Sequence, residues 1–259
     1  MSRRTHSPDQ GFDLLVIGGG INGVAIAREC AQRGRRVLLV EQNDFGSGTT
    51  SRSTRIIHGG LRYLEQYEFG LVRESLHERE RLLRESPQLV HPMQFLLVLP
   101  RSPRNLLRSS LAVHFGLWLY HRWAGGRKLP GSAPDAFERA LDSDKQVSVY
   151  TYEDAQCEFP ERLVAEWLAE SIDAGATVRN HTELLEITRT NGRVSGARLR
   201  DGISGQEYAV EVTTVVNASG PWVDRVLAAS GINAPRLLGG IRGSHLVLPA
   251  FPGMSAKPV

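Results

Sequence analysis

Gly18-Gly19-Gly20-Ile21-Asn22-Gly23 is the first string whose residue types and spacing could do chemistry. Glycines in the order G-x-G-x-x-G let a chain turn tightly at Gly18, let backbone approach a pyrophosphate at Gly20, and let helix and strand pack closely at Gly23. The chemistry would be anion binding, because a helix starting at Ile21 aims free N–H groups and a partial positive charge at a phosphate. Glu41, with Gln42 beside it, stands where a carboxylate would accept hydrogen bonds from ribose hydroxyls, and a carboxylate there disfavours a 2′-phosphate. A glycine string by itself is often only a tight turn, so its neighbours decide what it means.

Those neighbours have the required form. Phe12 to Ile17 is a short apolar run that reads as a buried strand, and Ile21 to Arg33 carries apolar residues at helical spacing. Gly34 is placed to stop that helix, and Val37 to Val40 is a second buried strand ending at Glu41. FAD and NAD share this βαβ fingerprint. Two later segments favour the flavin. Gly46 to Ser53, with Thr50, Ser51 and Ser53, is a small hydroxyl-rich loop that could wrap an extended cofactor. Val215-Val216 leads into Asn217-Ala218-Ser219-Gly220-Pro221-Trp222, a second close approach of backbone to ligand. Two contact sites so far apart in sequence suit a large, tightly held flavin dinucleotide, and the expected cofactor is FAD.

Further along, Leu64 to Glu85 is helical and densely charged, and Phe95 to Leu99 reads as a strand ended by Pro100. Leu163 to Ala174 is a helix closed by Gly175. Leu184–Ile187, Val194–Arg200 and Tyr208–Val216 form an expected β-meander, with Asn191-Gly192 supplying the positive φ angles of a tight hairpin. Ser244 to Leu248 is expected to be a strand, and residues 1–10 a flexible tail. Residues 86–134 contain no Asp or Glu, which suggests an inserted cap. The organisation expected is a discontinuous cofactor domain, 11–88 with 140–230, and a second domain from 89–139 and 231–259 that is incomplete at the C-terminus.

The bulk properties limit the alternatives. The 259 residues suffice for one large domain or two intertwined ones. A net charge of +3 is too small to argue for nucleic acid. The two cysteines, Cys30 and Cys157, fit a reducing cytoplasm and build no disulfide framework. No secretory signal and no transmembrane run is expected. The stretch from Arg101 to Lys128, with Phe115, Trp118, Tyr120 and Trp123, could lie on an anionic membrane surface. The competing reading is a helix whose apolar face packs on the protein. His114 and His121 lack a carboxylate or thiol neighbour, so no metal site is expected.

The string from Thr50 to Glu65, which includes Arg55 and His58-Gly59-Gly60-Leu61-Arg62-Tyr63, resembles the signature of FAD-dependent glycerol-3-phosphate dehydrogenases. Val16 to Gly23, Asn217 to Val223 and Ile241 to His245 resemble the same family in the same order, over about Asp13 to Pro249. The resemblance implies a Rossmann-like FAD-binding α/β fold of the glycine oxidase and D-amino-acid oxidase type, with part of a second, mixed-sheet substrate domain. It implies oxidation of sn-glycerol 3-phosphate to dihydroxyacetone phosphate, with electrons passed to a membrane quinone. It places Arg62 and Tyr63 in the substrate pocket and makes His245 the candidate base; read alone, a histidine in a strand is more often structural. Arg55 stands where the family often shows lysine, and a forked guanidinium bonds differently from a point charge.

Family members continue well past residue 259, with more phosphate-binding arginines and a third flavin-contacting segment, so the chain is expected to be a fragment. A cytoplasmic protein is expected, with peripheral contact to the inner membrane and a dimeric state both left open. Also left open are a related oxidase acting on glycerol phosphate, an amine or a hydroxy acid, and a non-catalytic flavin-binding remnant.

Overall fold

The computed structural model describes residues 11–100, 110–125, 136–143, 147–240, 243–246, 249, 254 and 257–258. The chain divides into two compact units, Met1–Ser53 with Phe159–Gly243, and Thr54–Glu158 with Ser244–Val259.

The first unit begins as the glycine pattern requires. Strand β1 (Phe12–Ile17) leads through the glycine turn into helix α1 (Ile21–Gln32), and β2 (Val37–Val40) follows. Gly34, at φ +79°, donates its N–H to the Ala31 carbonyl and turns the chain out of α1. Later elements complete the unit: α5 (Pro160–Asp173), β6 (Thr177–Arg179), β7 (Thr182–Thr190), β8 (Arg193–Asp201), β9 (Glu207–Asn217) and α6 (Val223–Ala229). Their strands form one six-stranded sheet in the order β6-β2-β1-β9-β8-β7. The pairs among β6, β2, β1 and β9 are parallel, and β9-β8-β7 is an antiparallel meander. Asn191 and Gly192 both take positive φ at the β7–β8 turn, as that hairpin demands.

Alternation along β1 and β2 builds two cores. Leu14, Val16, Val37 and Leu39 meet Val24, Ala27 and Ala31 of α1 and Val164 and Leu168 of α5. Leu15, Ile17, Leu38 and Val40 face the other way, against Ile187, Ala197, Leu199 and Val212 of the meander. Both faces are covered, which is why β1 and β2 are nearly continuous apolar runs. Each fully buried Leu or Val contributes about 1.5–3 kcal/mol relative to exposure.

The second unit is built on β5 (Val147–Cys157), which the sequence reading passed over. It lies between β3 (Ile56–Ile57) and β4 (Val90–Pro100) in a three-stranded sheet whose pairings are all antiparallel. Pro92 and Pro100 are tolerated because, among the described residues, β4 is an edge strand of this sheet. Helices α2 (Phe69–Glu85), α3 (Ser110–Trp123) and α4 (Ala136–Ser143) complete the unit. Val72 and Leu76 of α2 pack with Tyr120 and with Ala124 just past α3. Because β3 pairs with β5, residues 54–88 cluster with the second unit, whereas the sequence division kept them with the cofactor segment.

The strand expected at Ser244–Leu248 is corrected. Residues 243–246 carry no strand and are exposed, and Val247 and Leu248 lie outside the described residues. Among the described residues no strand pairs with this run, and without a partner its backbone hydrogen bonds have nowhere to go. The expected tail at residues 1–10 also lies outside the described residues, as do Arg101, Arg104, Arg108, Arg127 and Lys128. Among the described residues no helix is long and apolar enough to cross a membrane.

Candidate dinucleotide site

In the first unit, the turn between β1 and α1 is fixed by contacts that admit no side chains. Gly18 sits at φ +106°, and a Cβ there would lie 2.6 Å from the Ala218 carbonyl oxygen. A Cβ on Gly23 would lie 1.8 Å from the Gly18 carbonyl oxygen, so α1 starts in direct backbone contact with the turn. Gly20 differs: its Cβ would meet only Thr50 Oγ1, at 3.3 Å. The space over Gly20 is a cradle that any side chain would narrow.

The start of α1 carries no acidic residue in its first turn, and Gly20 as N-cap offers no side-chain acceptor. Thr50 Oγ1 accepts the Ile21 N–H at 3.0 Å, which fastens the hydroxyl-rich loop onto the helix start. Asn22 is exposed beside it. Glu41, just past β2, accepts the Gly19 N–H on Oε2 at 2.7 Å and the Asn43 N–H on Oε1 at 2.9 Å. Its carboxylate is therefore oriented by backbone, and each oxygen keeps lone-pair capacity for a hydroxyl donor. Gln42 next to it is exposed. A positive helix end without its own anion, a glycine cradle and an anchored carboxylate fit a dinucleotide.

The other hydroxyls of this loop serve the loop itself. Ser51 Oγ donates to the Ser47 and Gly48 carbonyls, each at 3.0 Å, and Ser53 Oγ to the Thr50 carbonyl at 3.3 Å. Asn217, the last residue of β9, likewise holds its own turn. Its Oδ1 accepts Ser219 Oγ at 2.6 Å and its Nδ2 donates to the Val223 carbonyl at 3.0 Å. That turn brings Ala218 against Gly18, and Trp222 against Gly48, where a Cβ would meet the indole at 3.2 Å. Gly220, at φ +56°, is exposed within it. Thus Gly18, Gly20, Ile21, Gly23, Glu41, Thr50, Ala218 and Trp222 are gathered at one end of the parallel strands, where ligands of such sheets bind.

The remaining expected site residues belong to the second unit. Arg55 takes a left-handed φ of +64°, its carbonyl accepts the Cys157 N–H at 2.8 Å, and its Nη1 donates to the Glu158 carbonyl at 2.5 Å. Its guanidinium therefore ties β3 to the end of β5. Arg62 and Tyr63 are exposed on a 3-10 turn, Leu61–Gln66, that opens at Gly60 and closes at Tyr67, both left-handed. His245 is exposed in a stretch without regular structure. The sequence reading missed Arg79, Asp154 and the role of Tyr120, which are joined inside this unit. The one signal was an alternating Val147-Ser148-Val149-Tyr150-Thr151-Tyr152 run that marks β5. Burial first, and the charge of Asp154 second, push the Tyr152 phenol up to about 12 and keep Tyr120 protonated well beyond its ordinary range. Among the described residues no group of His, Cys, Asp and Glu could hold a metal ion.

On α3, Leu111, Phe115 and Trp118 are 85%, 62% and 59% exposed, while Tyr120 is buried. The helix thus packs one side on the protein and leaves an apolar stripe uncovered.

A family model described as FAD dependent oxidoreductase matches residues 13–259. The chain is 41% identical over 262 residues to a glycerol-3-phosphate dehydrogenase of Synechocystis sp., covering 95% of this chain and 47% of that protein. It is 40% identical over 246 residues to a D-erythritol 1-phosphate dehydrogenase of Brucella abortus, covering 92% of this chain and 47% of that protein. The solved glycerol-3-phosphate dehydrogenase of Bacillus halodurans in complex with FAD aligns with a TM-score of 0.58 at 27% identity, covering 85% of this chain and 36% of that one. The chain therefore spans about half the length of the curated relatives it matches. A parallel sheet with this glycine turn, a meander returning beside β1 and a family match over almost every residue lead to one placement: the chain belongs to the FAD-dependent oxidoreductases, with a fold of the D-amino-acid oxidase type.

Proposed function

We propose that this chain is the dinucleotide-binding part of a flavoprotein that oxidises sn-glycerol 3-phosphate to dihydroxyacetone phosphate and delivers the electrons to a membrane quinone. The observation that carries the reading is Glu41, whose carboxylate is aligned by the Gly19 N–H at 2.7 Å beside a start of α1 that has no acidic residue in its first turn. That pairing sets a ribose-binding acid next to pyrophosphate-binding amides. The names of the relatives, both polyol-phosphate dehydrogenases, support the substrate class.

When bound, FAD supplies the hydride acceptor. Gly18, Gly20, Ile21, Asn22 and Gly23 would hold its pyrophosphate with backbone amides, and Glu41 and Gln42 its ribose. The loop of Thr50, Ser51 and Ser53, with Arg55, and the turn of Asn217, Ala218, Gly220 and Trp222 would line the rest of the cofactor. Arg62 would pair with the substrate phosphate and Tyr63 would orient the polyol. His245 would take the hydroxyl proton as C2 gives up its hydride, a role open to a neutral imidazole, which keeps one ring nitrogen as an acceptor. The two separated segments of the first unit support a discontinuous cofactor domain. The uncovered Leu111, Phe115 and Trp118 support a peripheral contact with the cytoplasmic face of the inner membrane, next to the quinone. A dimer is compatible with this reading and is tested by size.

The second reading, favoured by the Brucella relative, is a longer polyol phosphate such as D-erythritol 1-phosphate. Visible spectra of the purified, FAD-reconstituted chain, before and after anaerobic addition of each substrate, decide. Bleaching by sn-glycerol 3-phosphate supports the first reading, and bleaching only by D-erythritol 1-phosphate the second. A flavin that neither bleaches removes both. Reoxidation by quinone rather than by oxygen separates a dehydrogenase from an oxidase. Arg62→Ala should raise KM strongly while leaving the oxidised flavin spectrum intact; an unchanged KM removes Arg62 from the phosphate.

A further inference from the structure

Arg79 on α2, Tyr120 on α3 and Asp154 on β5 meet in the interior of the second unit, outside the site proposed above. Asp154 Oδ1 accepts Arg79 Nη1 and Tyr120 Oη, each at 2.6 Å, and the Gly59 N–H at 3.1 Å. The Gly59 N–H is shared with Tyr120 Oη at 2.9 Å. Arg79 and Asp154 are each 3% exposed. Arg79 Nη1 also donates to the Glu153 carbonyl at 2.7 Å, and Nη2 to Glu80 Oε1 at 2.9 Å. Its Nε–H is buried and has no partner among the described residues.

An ion pair buried this deeply is a poor source of stability, since desolvation offsets its attraction, and an orphaned N–H adds to the cost. What the arrangement does well is fix a backbone atom. Two side chains, Asp154 and Tyr120, converge on the Gly59 N–H, and Arg79 holds the Asp154 carboxylate in place. There is no slack around it: a Cβ on Gly59 would lie 2.2 Å from Leu76 Cδ2 and 2.6 Å from Tyr120 Oη. Gly60 follows at φ +72°, and the Tyr63 N–H returns to the Gly60 carbonyl at 2.8 Å. Tyr67, at φ +61°, closes the turn, so Arg62 and Tyr63 stand on a short segment held left-handed at both ends. Strained, over-determined backbone of this kind is found where a side chain must be presented in one geometry.

We infer that Arg79, Asp154 and Tyr120 are positioning residues that fix the Arg62–Tyr63 turn through the Gly59 N–H. The inference rests on the assignment of Arg62 and Tyr63 to the substrate. The test uses Tyr120→Phe, which keeps the ring packing, and Asp154→Asn, which keeps the side-chain shape, in the full chain reconstituted with FAD. Hydrogen exchange of the peptide covering residues 56–67 should speed up by about tenfold or more in both variants, the scale of losing one charge-assisted hydrogen bond. Exchange across β1, α1 and β2, and the oxidised flavin spectrum, should stay as in the parent. KM for sn-glycerol 3-phosphate should rise by a similar factor with a smaller change in kcat. Arg62→Ala combined with Tyr120→Phe should be no worse than Arg62→Ala alone, because one acts through the other. Unchanged exchange at residues 56–67 overturns the clamp. Faster exchange with unchanged KM, or fully additive losses with Arg62→Ala, overturns its positioning role. A parent flavin that no polyol phosphate bleaches refutes the functional reading, and exchange alone then judges the clamp.

Discussion

Replacing Gly23 by alanine puts a methyl group 1.8 Å from the Gly18 carbonyl oxygen and 3.4 Å from Ala218 Cβ. Carbon–oxygen contacts in folded proteins relax to more than about 3 Å, so α1 must withdraw by roughly an ångström from the end of β1. That movement opens the layer in which Val24, Ala27 and Ala31 pack on Leu14 and Val16. Overpacking of this kind costs about 1–3 kcal/mol. For a domain of this size each kcal/mol lowers Tm by about 2–4 °C, so a fall of roughly 2–12 °C is expected. The same movement carries the Ile21 and Asn22 amides away from the cradle over Gly20, and FAD affinity should fall by about tenfold or more. Differential scanning fluorimetry and a flavin-fluorescence titration measure the two effects. Gly34→Ala is the control, since its Cβ would meet nothing within 4 Å and only its φ of +79° opposes the change. It should lose about 1 kcal/mol and no FAD affinity. A Gly23→Ala protein with parental Tm and parental FAD affinity would refute the argument that backbone contact sets this turn.

Glu41→Leu should weaken FAD binding and cost about 1–3 kcal/mol, because the Gly19 N–H loses its acceptor at 2.7 Å; Glu41→Gln keeps an acceptor oxygen and should keep most of the stability while losing affinity, as read by titration and melting. Arg36 holds the Asp13 carboxyl below its ordinary 3.8, chiefly through their side-chain hydrogen bond at 2.8 Å. That contribution is complete above pH 3.8 and is lost as pH falls through the lower folded value, so Asp13→Asn should lower stability at neutral pH, flatten the acid limb of the stability curve below pH 3.8, and converge with the parent at the most acid pH. Combined Leu111→Ser, Phe115→Ser and Trp118→Ser should abolish sedimentation with anionic vesicles and leave Tm nearly unchanged, since these side chains are at least 59% exposed; sedimentation equal to the parent's would remove α3 from any membrane contact.

Where glycine punctuates an apolar run, the sequence reading and the structure agree to the residue: Phe12–Ile17 and Val37–Val40 are strands as expected, and the meander turn falls at Asn191-Gly192. The reason is local, since the φ requirement and the apolar period both lie within a few residues. β5 was passed over because its alternation runs into Glu153-Asp154, which looks like an exposed end. Asp154 is buried only because Arg79 and Tyr120, 75 and 34 residues away, meet it. No short-range pattern records such a meeting. The hydroxyls of Thr50, Ser51 and Ser53 were legible as a set, but not that Thr50 would cap α1 while the serines turn to their own loop. His245 sits at the opposite limit: its apolar neighbours suggest a strand, yet a strand exists only when a second one pairs with it.

The order of the main sheet has a consequence for synthesis. β1 is bonded on one side to β2, about twenty residues later, and on the other to β9, with Leu14 opposite Thr214. On a ribosome adding about 5–20 residues per second, β1 and β2 emerge roughly 10–40 s before β9 can join them. Throughout that interval the nascent chain presents an open, almost wholly apolar strand edge, the kind of surface that pairs with a neighbouring chain. A holdase that binds extended apolar segments would therefore have its main client site on this protein at residues 12–17, and its release would wait for the chain to reach Asn217.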